Sequence, residues 1–65
     1  MKVRYFEDTD TLYIELKDRK PAQTEELNEN VMLELDETGK VVGLTIEHAK
    51  QGEGKLGFSY ETIAA

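Results

Sequence analysis

One stretch of the chain, residues 31 to 49, constrains the fold more than any other. It reads VMLELDETGKVVGLTIEHA, two alternating apolar runs joined by turn-forming residues 36 to 39. Successive side chains point to opposite faces of a strand, so each run has one apolar and one polar face. The pattern predicts a β-hairpin in which Gly39 supplies the positive φ that such a turn favours. The chain is therefore built around a strand pair with one buried and one solvated face.

Other segments alternate in the same way and predict further strands. Residues 2 to 6 form a weakly alternating first strand, and residues 11 to 18 form the most regular one. The intervening residues 7 to 10 are turn-forming types that suit a hairpin. Pro21 then interrupts pairing because it lacks an amide hydrogen. Residues 23 to 27 predict a short edge strand, which we favour over the alternative of a turn of helix.

Together these segments predict a mainly β or α+β fold with one antiparallel meander of four to five strands. Its apolar face would carry nine aliphatic side chains: Leu12, Ile14, Leu16, Val31, Leu33, Leu35, Val42, Leu44 and Ile46. A single sheet cannot bury such a face unaided. We expect the cover to be the C-terminal segment, a second copy of the chain, or both.

The glycines and the short length predict the domain organisation. We expect an antiparallel sheet domain over residues 1–49, a glycine-rich linker over 50–57 and a docking segment over 58–65 that covers one face. The docking segment fits either a short helix or a further strand. A domain of this size buries only about 60% of its unfolded surface, and it has no cysteine for a disulfide. Self-association, as a symmetric homodimer, is the expected supplement.

The charge balance narrows the class of partner. Fourteen acids against eight bases give a formal charge of −6, which opposes binding to a phosphate backbone. An acidic domain is better suited to a basic protein partner. No window approaches the roughly 20 apolar residues of a membrane span, and we find no signal-peptide core. We therefore expect a cytoplasmic protein that binds neither nucleic acid nor membrane.

No pattern in the chain assembles a catalytic, cofactor or metal site. Residues 52 to 57 match G-x-G-x-x-G, but the βαβ unit that this phosphate-binding motif requires is missing. His48 is the only histidine, and its neighbour Glu47 points to the opposite face. We therefore predict a non-enzymatic protein-interaction module. The alternative is a small-molecule binder or minor enzyme with a pocket between sheet and C-terminal segment. The candidate interface or pocket residues are Tyr13, His48, Phe58 and Tyr60.

Three motifs of the chain resemble a known family. Residues 5 to 14, YFEDTDTLYI, are similar to the Y-x-x-x-x-D-x-L-Y-I start of the small prokaryotic proteins called domain of unknown function family 2283. TEEL at 24 to 27, and the runs VMLELD and GKVVGLTI in the central hairpin, resemble the middle of that family. The resemblance implies a small β-sheet fold in a prokaryotic cytoplasm, with no established activity. It also implies an antitoxin-like role as one version of the interaction module, since some members are suspected partners of toxins.

Overall fold

The computed structural model describes residues 1–50 and 56–64. Five strands are present: β1 (Lys2–Phe6), β2 (Thr11–Glu15), β3 (Gln23–Asn28), β4 (Val31–Leu35) and β5 (Val41–Glu47). They form one antiparallel sheet, and the part of the chain described contains no helix. The predicted mainly β fold is confirmed. Most of the predicted glycine-rich linker, including Gly52 and Gly54 of the G-x-G-x-x-G string, lies outside the described residues.

The strand order is β1-β2-β5-β4-β3, so the sheet is not one continuous meander. The strands β3, β4 and β5 follow one another as a meander, while β2 pairs with β5 instead of β3. Residues 16 to 22 must therefore cross three strand spacings, about 14 Å, which seven residues can span. The physical reason is the composition of β3. All six of its residues are exposed, so the chain places this polar strand at an edge and the apolar β5 at the centre.

The register unites the predicted core on one side of the sheet. Leu12 pairs with Ile46, and Ile14 pairs with Leu44 across β2 and β5. Pairs between β4 and β5 add Val31 and Leu33 to the same rows. We call this side the apolar face; its members on the strands are Val3, Tyr5, Leu12, Ile14, Val31, Leu33, Leu35, Val42, Leu44 and Ile46, with Gln23 and Glu25 at the β3 edge.

The apolar face is only partly covered. Among the described residues, the buried hydrophobic side chains are Leu12, Leu35 and Val42. The other strand members of the predicted core are half-buried, and Leu16 is 39% exposed. The prediction that the sheet has one apolar face is therefore correct, and among the described residues the C-terminal segment reaches that face at Val3, where Phe58 and Tyr60 line a cavity.

The C-terminal segment differs from the prediction. Residues 56 to 64 form neither of the two predicted structures, helix or strand. Phe58, Tyr60 and Ile63 are 55%, 85% and 80% exposed. A helix of seven residues is too short to be stable without docking, and these side chains bury too little surface to provide it.

Two further predictions concern the edge strand and the end of β2. β3 is a strand at the edge of the sheet. The edge strand that the sequence analysis favoured over a turn of helix is therefore confirmed. β2 ends at Glu15, three residues earlier than predicted. The amides of Leu16 and Lys17 both donate to the carbonyl of Val42, at 2.9 and 3.2 Å. Two residues opposite one form a bulge, which ends the regular ladder.

Candidate interaction surface

The second side of the sheet, which we call the polar face, carries most of the charged strand residues. Its members are Lys2, Arg4, Phe6, Thr11, Tyr13, Glu15, Thr24, Glu26, Met32, Glu34, Gly43, Thr45 and Glu47, assigned by pairing and alternation. The two bases lie on β1, and Arg4 donates to Glu15 at 3.2 Å. Glu26 and Glu34 lie on β3 and β4, at the opposite side of the sheet. The β3–β4 half of this face is therefore acidic.

A tyrosine crosses the centre of the polar face. Tyr13 on β2 and Glu34 on β4 flank the central strand, and the Tyr13 hydroxyl donates to Glu34 Oε1 at 2.9 Å. This hydrogen bond, followed by burial and the nearby charge of Glu34, raises the pKa of Tyr13. The phenol therefore stays protonated at neutral pH and acts as a fixed donor. Such an arrangement holds a side chain in place and provides no acid or base for chemistry.

Gly43 makes this crossing feasible. A Cβ at this position would lie 2.7 Å from Tyr13 Oη and 3.1 Å from Glu34 Oε1. The glycine thus leaves room for the phenol to pass over the strand. The register between β4 and β5 also shifts beside it, between Glu34 and Leu35. A glycine within a strand often marks a bulge or a close approach of another backbone. Gly43 lies beside a bulge, and the group that comes close to it is the Tyr13 side chain.

A second cluster ties the first hairpin to the end of β5. Asp10 Oδ1 accepts from the Tyr5 hydroxyl at 2.6 Å and from the Lys50 amide at 3.0 Å. The Lys50 ammonium lies 5.8 Å from the centroid of the Tyr5 ring. Burial and the bond to Asp10 raise the pKa of Tyr5 to about 12, while that same bond lowers the pKa of Asp10. The cluster fixes the position of Lys50 beside the apolar face.

Asp36 organises the β4–β5 turn. Its Oδ1 accepts from the Thr38 amide at 2.8 Å, the Thr38 hydroxyl at 2.6 Å and the Lys40 amide at 3.0 Å. These bonds, led by the Thr38 hydroxyl, lower the pKa of Asp36 to about 2. Its Oδ2 is buried without a hydrogen bond, and Arg19 Nη1 lies 3.6 Å away. Turn formation therefore accounts for this acid, as the sequence indicates for acids in such loops.

The structure does not bring the four candidate residues that were predicted from the sequence together at one site. Tyr13 is half-buried on the polar face, and His48 is exposed just beyond β5 with φ at +57°. Phe58 and Tyr60 line a cavity of about 400 Å³ with Met1 and Val3 at the β1 edge. Phe58 and Tyr60 are thus brought together, while Tyr13 and His48 are not among the residues that line this cavity.

Of the residues that organise the surface, Glu34 was not singled out from the sequence, whereas Tyr5 and Asp10 appear there as the tyrosine and aspartate of the Y-x-x-x-x-D-x-L-Y-I motif. Glu34, Asp10 and Tyr5 each hold a partner from a different strand or loop. The alternation of β4 does place Glu34 on the polar face with Tyr13. Their contact, however, depends on β2 lying next to β5, and the sequence does not reveal that pairing.

Two kinds of feature, a metal-binding cluster and a membrane-spanning helix, were sought among residues 1–50 and 56–64. Within these ranges there is no group of three or more histidine or acidic side chains placed to hold a metal ion. The same part of the chain has no helix with the length and apolarity needed to cross a membrane.

The chain matches a family of known sequences. The model of the family described as Protein of unknown function (DUF2283) matches residues 2–50. The matched range contains all five strands, the Tyr13–Glu34 contact and both loop aspartates. Neither a curated protein nor a solved structure matched the chain.

Proposed function

Because the chain belongs to the family described as Protein of unknown function (DUF2283), which carries no assigned activity, we propose a function from its own geometry. The protein is a cytoplasmic, non-enzymatic interaction module that self-associates and receives a basic protein partner on its acidic surface. An antitoxin-like role, in which that partner is a toxin, is one version of this function.

The observation that carries the proposal is the contrast between the two sides of one sheet. The apolar face is half-exposed, which is unusual for a protein that works alone. The polar face bears Glu26, Glu34 and Glu47, and the net charge of the chain is −6. One side thus favours association through apolar contact, and the other favours a partner with lysines and arginines.

Co-purification from the native host tests this function. We expect the tagged chain to retain a basic protein at physiological salt. The Glu26→Lys variant should lose that protein, because the substitution reverses a charge on the acidic half of the polar face. Glu25→Lys makes the same change on the apolar face, so this variant should retain it. Failure of the wild-type chain to retain any basic protein would contradict the proposed function.

A second candidate function rests on the cavity between Phe58, Tyr60, Met1 and Val3. Its lining is largely apolar and lies between sheet and C-terminal segment, as the pocket alternative requires. Titration with small aromatic and aliphatic compounds, followed by NMR, tests it. Binding that shifts the signals of Val3 and disappears in Tyr60→Ala would support a small-molecule binder, and unchanged signals would reject it.

A further inference from the structure

The central part of the apolar face lacks a cover among residues 1–50 and 56–64. Ile14, Leu33 and Leu44 lie in one row across its middle and are half-buried. The C-terminal segment lines its cavity with Met1 and Val3 at the β1 edge, and its Phe58, Tyr60 and Ile63 side chains stay exposed. The described residues thus leave this row without the second layer that an apolar sheet face requires.

We propose that a second copy of this chain occupies the apolar face, with the twofold axis parallel to the strands. The two β5 strands then lie at the centre of a two-layer sandwich, and β3 of each copy lies over β1 of the other. The inference rests on the proposed function, since it specifies the surface through which the module self-associates.

The area of the apolar face is close to what a dimer of this chain requires. Five strands spaced about 4.8 Å apart, with five to seven residues of about 3.3 Å each, give a face of roughly 24 by 17–23 Å. Covering it on both copies removes about 800–1,100 Å² from water, close to the lower bound of roughly 1,000 Å² for a specific interface. The exposed side chains of Phe58 and Ile63 offer further apolar area. A dimer of modest affinity follows.

The charge of Glu25 favours one of the two possible directions of the dimer's twofold axis. Glu25 lies in the same row as Leu33, Leu44, Ile14 and Val3. An axis perpendicular to the strands would place Glu25 of both copies together, which like charges oppose. An axis parallel to the strands instead places Glu25 over the partner's β1, beside the cavity that Val3 lines with the C-terminal segment and one residue pair from the partner's Tyr5. The Lys50 ammonium lies against that ring, so opposite charges meet at the rim of the interface.

The polar face is the less suitable surface for the same contact. Stacking two polar faces about the same axis would pair Glu26 with Arg4 of the second copy, but it would also remove Glu34 from water against Glu15 and Glu47 against the same residue. Desolvating charges without an opposite partner is costly. The two sides of the sheet therefore have separate partners, and substitutions can distinguish them.

The first test uses the unmodified full chain. We expect sedimentation equilibrium to give a dimer, and isotope-filtered NMR on a mixed labelled sample to give contacts between methyl groups of Leu33, Leu44 and Ile14 of different copies. A monomer throughout the accessible concentration range would overturn the inference. A dimer whose intermolecular contacts come from Met32 and Thr45, on the polar face, would overturn it equally.

Two exposed neighbours on β3 provide the matched variants. Glu25→Lys should raise the dimer dissociation constant about tenfold, because a cation then meets Lys50 of the other copy. Glu26→Lys makes the same charge change on the opposite face and should alter that constant by less than about twofold. Equal effects of the two variants would reject the proposed axis. Circular dichroism of each variant checks that the sheet is intact.

The outcomes also separate this inference from the proposed function. A wild-type dimer that forms through the apolar face while no basic protein is retained supports the inference and rejects the function. A retained basic partner on a monomeric chain rejects the inference and the self-association in the proposed function, and supports only the binding of a basic protein by the polar face.

Discussion

Gly43 lies in the central strand, where the phenol of Tyr13 from β2 passes over it towards Glu34, the residue paired with Gly43 on β4. We expect Gly43→Ala to lower the free energy of unfolding by about 1–3 kcal/mol, because the added methyl group displaces the phenol that bonds to Glu34. Denaturant titration followed by circular dichroism measures the change. In a Tyr13→Ala background the same substitution should cost little, since the contact at 2.7 Å is absent. Equal losses in both backgrounds would contradict a contact with Tyr13.

Asp36 makes the stability depend on pH in the acidic range. Its pKa falls from 3.8 to about 2 on folding, so the folded state binds the proton more weakly than the unfolded state. The stabilisation is present in full above pH 3.8 and is lost as the pH falls towards 2. We expect Asp36→Asn to be less stable at neutral pH and to lose less stability on acidification. Thermal unfolding between neutral and acidic pH measures both effects.

The exposed Asp8 supplies the control for Asp36. Asp8→Asn removes the same charge from a loop position and should leave the acid dependence of the wild type in place. Some dependence should persist in Asp36→Asn as well, because folding also lowers the pKa of Asp10. Identical pH profiles for the wild type and Asp36→Asn would contradict the assigned role of the turn carboxylate.

At the scale of elements, the β4–β5 hairpin depends on one left-handed residue. Gly39 has a φ of +86°, and a Cβ added to it would meet no atom within 4 Å. Its amide donates to the Asp36 carbonyl at 3.0 Å. We expect Gly39→Ala to lower the free energy of unfolding by about 1–2 kcal/mol through backbone strain alone. Gly57 also has open space but no positive φ, so Gly57→Ala should be nearly neutral. Comparable losses in both variants, measured by denaturant titration, would rule out strain at Gly39.

The sequence predicts the individual strands better than their arrangement. Alternation is a local property, so it identifies β1, the edge strand β3 and the apolar side of the central hairpin correctly. Pairing of β2 with β5 depends on a crossing connection, and no local pattern records it. The Tyr13–Glu34 contact and the Asp10–Lys50 contact both depend on that arrangement, so they were not predictable. The C-terminal segment was ambiguous because its form depends on docking, and its side chains are mostly exposed.

For the molecule as a whole, few apolar side chains are buried among the described residues of one chain, so the proposed dimer would supply much of the stability. Folding and dimerisation are then linked, and the melting temperature should rise with protein concentration. A hundredfold increase, from about 5 to 500 μM, should raise it by about 5–10 °C for a domain of this length. Calorimetry at several concentrations provides the measurement.

Variants on the two faces supply the control for this linkage. Glu26→Lys should keep the wild-type slope of melting temperature against concentration. Glu25→Lys should have a lower melting temperature at each concentration, because it weakens the dimer and leaves the sheet unchanged. A melting temperature that is independent of concentration would mean that one chain is stable with its apolar face half-exposed. The five strands would then need no second layer, and the separation of roles between the two faces would lose its physical basis.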